Sequence, residues 1–137
     1  MTQQVIPMSI QVPDTASDWQ GDTKVAKLFR APTAAHGGGM TILEAFASNE
    51  GATGAGTSFS WALHNYGTAG TAIKSTGGTI AAAIGGTASP WAAGVAQEFT
   101  LSYPYIAPGE YVVLAKDEVN SSDPSRGCIC LLVAMGE

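Results

Sequence analysis

Apolar and polar residues alternate most clearly from Ser58 to Asn65. Phe59, Trp61 and Leu63 fall on one side there, and Ser58, Ser60 and His64 on the other. That is the pattern of a strand with one buried face. Upstream, Lys24 to Arg30 reads the same way. Val25, Lys27 and Phe29 oppose Ala26, Leu28 and Arg30, and Ala31-Pro32 ends the run, because proline supplies no ladder donor. Between them lies Met40 to Ala47, with Ile42 and Phe46 on one face and Leu43 and Ala45 on the other. Apolarity on both faces predicts a central strand covered on each side. Glycine-rich segments, His36-Gly37-Gly38-Gly39 and Asn49 to Gly56, join these three strands and read as turns.

The rest of the chain continues in the same style. Glu98 to Tyr103 predicts a strand with Phe99, Leu101 and Tyr103 on one face. Ala107-Pro108-Gly109 predicts a turn, with proline preset at its second position. Glu110 to Glu118 sets Tyr111, Val113 and Ala115 against Val112 and Leu114, and Gly127 to Met135 is nearly continuous apolar sequence, central by pattern. Thr71 to Ala96 is poor in large side chains. Glycine pairs flank Ile80 to Ile84, which favours a short strand over a short helix there. At the N-terminus, Met8 to Val12 fits a strand, and Pro7 and Pro13 bracket it as an edge strand or extended arm. The sum is about eight strands in an all-β, two-sheet antiparallel sandwich. Residues 1–22 are expected as an N-terminal arm and residues 23–137 as the sandwich domain.

Composition sharpens this picture in one respect. Charged residues make up 12% of the 137, half the usual share of about 25%. A surface so short of charge suits a chain that buries much of itself against other subunits. The net charge is −5 with six Lys and Arg in total, and no basic stripe exists to hold nucleic acid. No apolar run is long enough to span a bilayer as a helix, and the N-terminus has no signal-peptide pattern. Cys128 and Cys130, two apart in a strand, share a face with Cα atoms about 6.5–7 Å apart, at or beyond the disulfide limit. They are expected as reduced, buried thiols rather than half of a metal site.

Each catalytic pattern in the chain lacks a partner. The HGGG at His36 to Gly39 has no G-x-S-x-G elbow to serve. GATGAG at Gly51 to Gly56 is followed by no Gly-Lys-Ser/Thr. Asp14, Asp18 and Asp22 do not keep a calcium-loop repeat, and Asp117, Glu118 and Asp123 read as a solvated loop. Asn120-Ser121-Ser122 fits a glycosylation sequon, relevant only after export. Trp61 sits on an apolar strand face and reads as core, whereas Trp91, after Ser89-Pro90, is the candidate exposed aromatic. No enzyme, cofactor or metal is expected.

Taken together, KVAKLFRAPTAAHGGGMTILEA, GTSFSWALHNYGTAG, SPWAAG and APGEYVVLAKDE resemble a small domain of tailed-bacteriophage virion proteins, the jelly-roll proteins that decorate or cement capsids. The similarity covers most of the chain from Lys24 onward. It implies a jelly roll of about eight strands, a homotrimer, and the major capsid protein as partner, with the chain made in bacterial cytoplasm and ending on the virion surface. Val5, Ile6, Met8 and Ile10 of the arm, with Trp91, are the expected docking residues. Related domains occur in head fibres and tails, so a receptor- or carbohydrate-binding role is the alternative.

Overall fold

The computed structural model describes residues 4–12, 24–49, 58–86, 95–119 and 127–136. Among the described residues there are nine strands and no α-helix. The strands are β1 (Gln4–Val12), β2 (Lys24–Arg30), β3 (Met40–Asn49), β4 (Ser58–Asn65), β5 (Thr79–Gly86), β6 (Ala96–Glu98), β7 (Tyr105–Ile106), β8 (Tyr111–Val119) and β9 (Gly127–Met135). They form two antiparallel sheets. One has the order β1-β9-β3-β6, with β7 also on β3; the other is β2-β8-β4-β5. The chain is therefore an all-β two-sheet sandwich. Its pairing is nested: β1 with β9, β2 with β8, β3 with β6 and β7, and β4 with β5.

The core lies between the sheets. Ile42, Ala45, Ala47, Ile129, Leu131 and Val133 come from one, and Ala26, Trp61, Leu63, Ile80, Val112 and Leu114 from the other. Trp61 is fully buried, and its ring lies against the backbone of Gly127, where an added Cβ would strike it. The expected phases of β4 and β8 hold. Lys116 follows Val112 and Leu114 at the same period, faces Trp61 across the ladder, and is buried.

Two strands depart from simple alternation. In β3 the pairing steps from Ile42↔Val133 to Glu44↔Leu132, leaving Leu43 as an extra residue. A bulge of this kind reverses the facing of everything after it. Ile42 is therefore buried together with Ala45 and Ala47, while Leu43 is 44% exposed. The expected grouping of Ile42 with Phe46, and of Leu43 with Ala45, is thereby corrected. In β2 the step falls between Lys27↔Val113 and Phe29↔Val112, so Leu28 is the extra residue and Phe29 joins Ala26 toward the core.

A second correction concerns residues 98–103. The ladder with β3 stops at Glu98, and beyond it an isolated bridge joins Leu101 to Ala81. The segment instead crosses from one sheet to the other. Phe99 N–H donates to the Ala45 carbonyl at 2.8 Å, Ser102 N–H to Ile80 at 2.8 Å, and Ile42 N–H to Pro104 at 2.9 Å. The crossing buries Phe99 and leaves Tyr103 58% exposed.

The N-terminal segment takes the edge-strand alternative: over Gln4–Val12 it is β1, paired with β9 along its whole length. Ile6, Met8 and Ile10 face Val133, Leu131 and Ile129 and pack on the core. Pro7 does not prevent this, since an edge strand has one side without ladder partners. Residues 1–3 and 13–23 lie outside the described part.

Deleting residues 1–12 is expected to uncover the inner row of β9 and destabilise the fold, read as a lower Tm and a smaller denaturant midpoint. Trp61→Ala is expected to cost about 3–5 kcal/mol in urea unfolding. Gly127→Ala, which drives a methyl into the same ring, should also destabilise.

Candidate docking surface

The outer face of the β1-β9-β3 sheet carries an apolar depression. Cross-strand pairing sets its rows. Ser9, Cys130, Phe46 and Glu98 form one, Pro7, Leu132 and Glu44 a second, and Val5, Ala134, Thr41 and Tyr105 a third. A shallow depression between them is lined by Pro7, Ser9, Phe46, Cys130 and Leu132. Val5 is 50% exposed and Tyr105 49%. The face is apolar because the same strands that send Ile129, Leu131 and Val133 inward send Cys130 and Leu132 outward, as a central strand with two apolar faces must.

Of the expected docking residues among those described, only Val5 lies on this face. Ile6, Met8 and Ile10 are half-buried on the opposite, core side, because the period of two gives one side to each set. Trp91 lies outside the described residues, as do Asp14, Asp18, Asp22 and Asp123. Phe46 and Leu132 were missed. The β3 bulge hides Phe46 from an alternation count, and Leu132 sits in a run with no polar residue to mark a side. Tyr103, expected within a strand, is exposed because the chain has left the sheet there, and Tyr105 is exposed on the outer face of β7.

Cys128 and Cys130 also differ from expectation. They point away from the core, with Cys130 exposed and Cys128 partly so. Their Sγ atoms are 3.8 Å apart, and Ser9 Oγ lies 3.0 Å from Cys128 Sγ.

The described connections 31–39, 66–78 and 107–110 meet at one end of the sandwich, around Glu110. Its carboxylate accepts from Asn65 Nδ2 at 3.1 Å, from Ala107 N–H at 2.8 Å and from Lys74 Nζ at 2.8 Å. Asn65 Oδ1 in turn accepts from Gly67 N–H at 2.8 Å. Both Asn65 and Glu110 are buried, so the network satisfies groups that would otherwise be costly to desolvate. The turn before it closes through Glu110 N–H to the Ala107 carbonyl, with Gly109 at φ +77°, the left-handed position that the third residue of a type II turn requires. Lys27 and Arg30 both lie over the Tyr111 ring, at 5.2 and 5.6 Å from its centre. This end is a set of structural ties. The HGGG segment lies beside it as a 3-10 turn, Ala34–His36, followed by left-handed Gly37 and Gly38.

Burial pushes the Glu110 carboxyl up, but the hydrogen bonds from Lys74, Asn65 and Ala107 and the Lys74 charge outweigh it and hold it below its ordinary 4.5. Burial holds the half-buried His64 imidazole below 6.5. Among the described residues no three His, Cys, Asp or Glu side chains converge on a metal position, and no helix is long and apolar enough to cross a membrane. No known protein family, characterised protein or solved structure matches this chain.

The unfolded chain binds protons to Glu110 and His64 at higher pH than the folded chain does. Both contributions are therefore complete above the unfolded pKa values and are lost as pH falls through the folded ones. Urea midpoints should decline from pH 6.5 downward and again below pH 4.5. Glu110→Ala should lower stability at pH 7 by about 1–3 kcal/mol and flatten the acidic part of that profile.

Proposed function

We propose that this chain is a structural virion protein of a tailed bacteriophage, a capsid decoration protein that binds the lattice as a homotrimer and stabilises it. The observation that carries the reading is the nested strand pairing. With β6 and β7 taken as one interrupted strand, the orders β1-β9-β3-β6 and β2-β8-β4-β5 support a jelly roll, whose two sheets arise from a long hairpin folded over on itself. Residue resemblance to the decoration proteins supports the same reading. Such a protein performs no reaction. It bridges neighbouring capsomers, and symmetry multiplies many modest contacts into a strong one.

Docking in this reading moves from the arm to the outer face of the β1-β9-β3 sheet. Phe46, Leu132, Pro7 and Val5 there remain available for burial against the major capsid protein, whereas Ile6, Met8 and Ile10 are already used by the core. The partners are the capsid shell and further copies of the chain, and the place of action is the virion surface after synthesis in the bacterial cytoplasm. Exposure of Tyr103 and Tyr105 favours a second reading, a receptor- or carbohydrate-binding domain of a head fibre or tail, since rigid aromatics serve as stacking platforms.

Purified chain should sediment as a trimer at micromolar concentration and co-sediment with undecorated capsids of its phage. Leu132→Glu should reduce capsid binding by about tenfold or more while leaving the circular dichroism unchanged. A monomer that ignores capsids and binds glycans in a Tyr105-dependent manner would replace the first reading with the second.

A further inference from the structure

We infer that Cys128 and Cys130 form a surface dithiol site for a thiophilic divalent cation of the zinc and cadmium kind. The inference does not rest on the virion reading. It starts from the period of two, which puts both thiols on the outer face of β9. β9 is held by ladder bonds to β1 on one side and β3 on the other, so the spacing between the thiols is set by a strand that is paired along both edges.

That spacing has chemical meaning. The Sγ atoms stand 3.8 Å apart. A tetrahedral ion with metal–sulfur bonds of about 2.3 Å spans an S···S edge of about 3.8 Å. The pair thus presents two corners of a tetrahedron without rearrangement. Disulfide closure would instead require the sulfurs to reach about 2.05 Å from strand positions whose Cα atoms lie at or beyond the bridging limit. The fold keeps the pair as a dithiol.

Two neighbours favour the site. Ser9 Oγ, 3.0 Å from Cys128 Sγ, can donate its hydroxyl proton to a bound thiolate and orient it, as outer-shell groups do. Pro7, Phe46 and Leu132 line the depression into which Cys130 opens, and their low polarity strengthens a metal–thiolate bond while leaving the ion a way in. On coordination each thiol releases its proton to solvent. The ion keeps its oxidation state, and water fills the two remaining corners. Soft sulfur donors select zinc-like ions over magnesium or calcium.

The test titrates the intact, reduced chain with Cd2+ alone, following the thiolate-to-cadmium charge-transfer absorption and the bound ion by equilibrium dialysis. The expected result is a saturable band with one ion per chain, and an affinity weaker by about 100-fold or more in Cys128→Ser and in Cys130→Ser. Alkylation of the folded wild-type chain should abolish the band, and this arm decides the matter if a serine variant misfolds. Absence of the band, its persistence in Cys130→Ser or after alkylation, or one ion shared by two chains would overturn the single-chain site.

Discussion

Trp61 against Gly127 is the contact on which the sandwich depends. The ring rises from β4 in one sheet and ends on the backbone of β9 in the other, and the glycine is what lets it lie there. Two sheets normally pack about 10 Å apart, a gap that one large aromatic can cross where small neighbours make room. Ala26, Ala31, Ala45, Ala47 and Ala81 are the small residues of this core. The many alanines and glycines of the chain therefore have a packing role: they complement one tryptophan and a handful of Ile, Leu and Val side chains.

The bulges and the crossover shape what surrounds that contact. Leu28 and Leu43 each add one residue to a strand, which increases local twist and re-aims the side chains that follow. The turned β3 offers Ile42, Ala45 and Ala47 inward and Phe46 outward. Segment 99–104 then spans the edges of β3 and β5, covering the core with Phe99. Backbone groups that would be left unpaired at those two edges are partly satisfied by the crossing, which reduces the hazard of open strand edges.

The two surfaces that result have different characters. Around Glu110, buried polar groups meet their partners inside the molecule, and three connections are bound into one unit. On the outer face of the β1-β9-β3 sheet, apolar side chains and a dithiol face outward, with Glu44 and Glu98 in the same rows. The first is a rigid end that resists deformation, and the second is a face with free energy still to gain from burial. With charged residues at 12% of the chain, the surface has little to oppose such burial.

The residues themselves determined much of this. Alternation marked β2, β4 and β8; the apolar run marked β9 as central; and Pro108-Gly109 marked its turn. These signals are local, each legible within a few neighbouring residues. What only the tertiary structure decided was non-local. Bulges at Leu28 and Leu43 arise from register against a partner strand far away in sequence, so Phe46 and Ala45 could not be assigned their sides by counting. Whether Ile6, Met8 and Ile10 formed an arm or an edge strand depended on β9, more than a hundred residues away. The outward aim of Cys128 and Cys130 depended on which face of a doubly apolar strand met Trp61, because a period of two separates the faces of a strand without saying which one is buried.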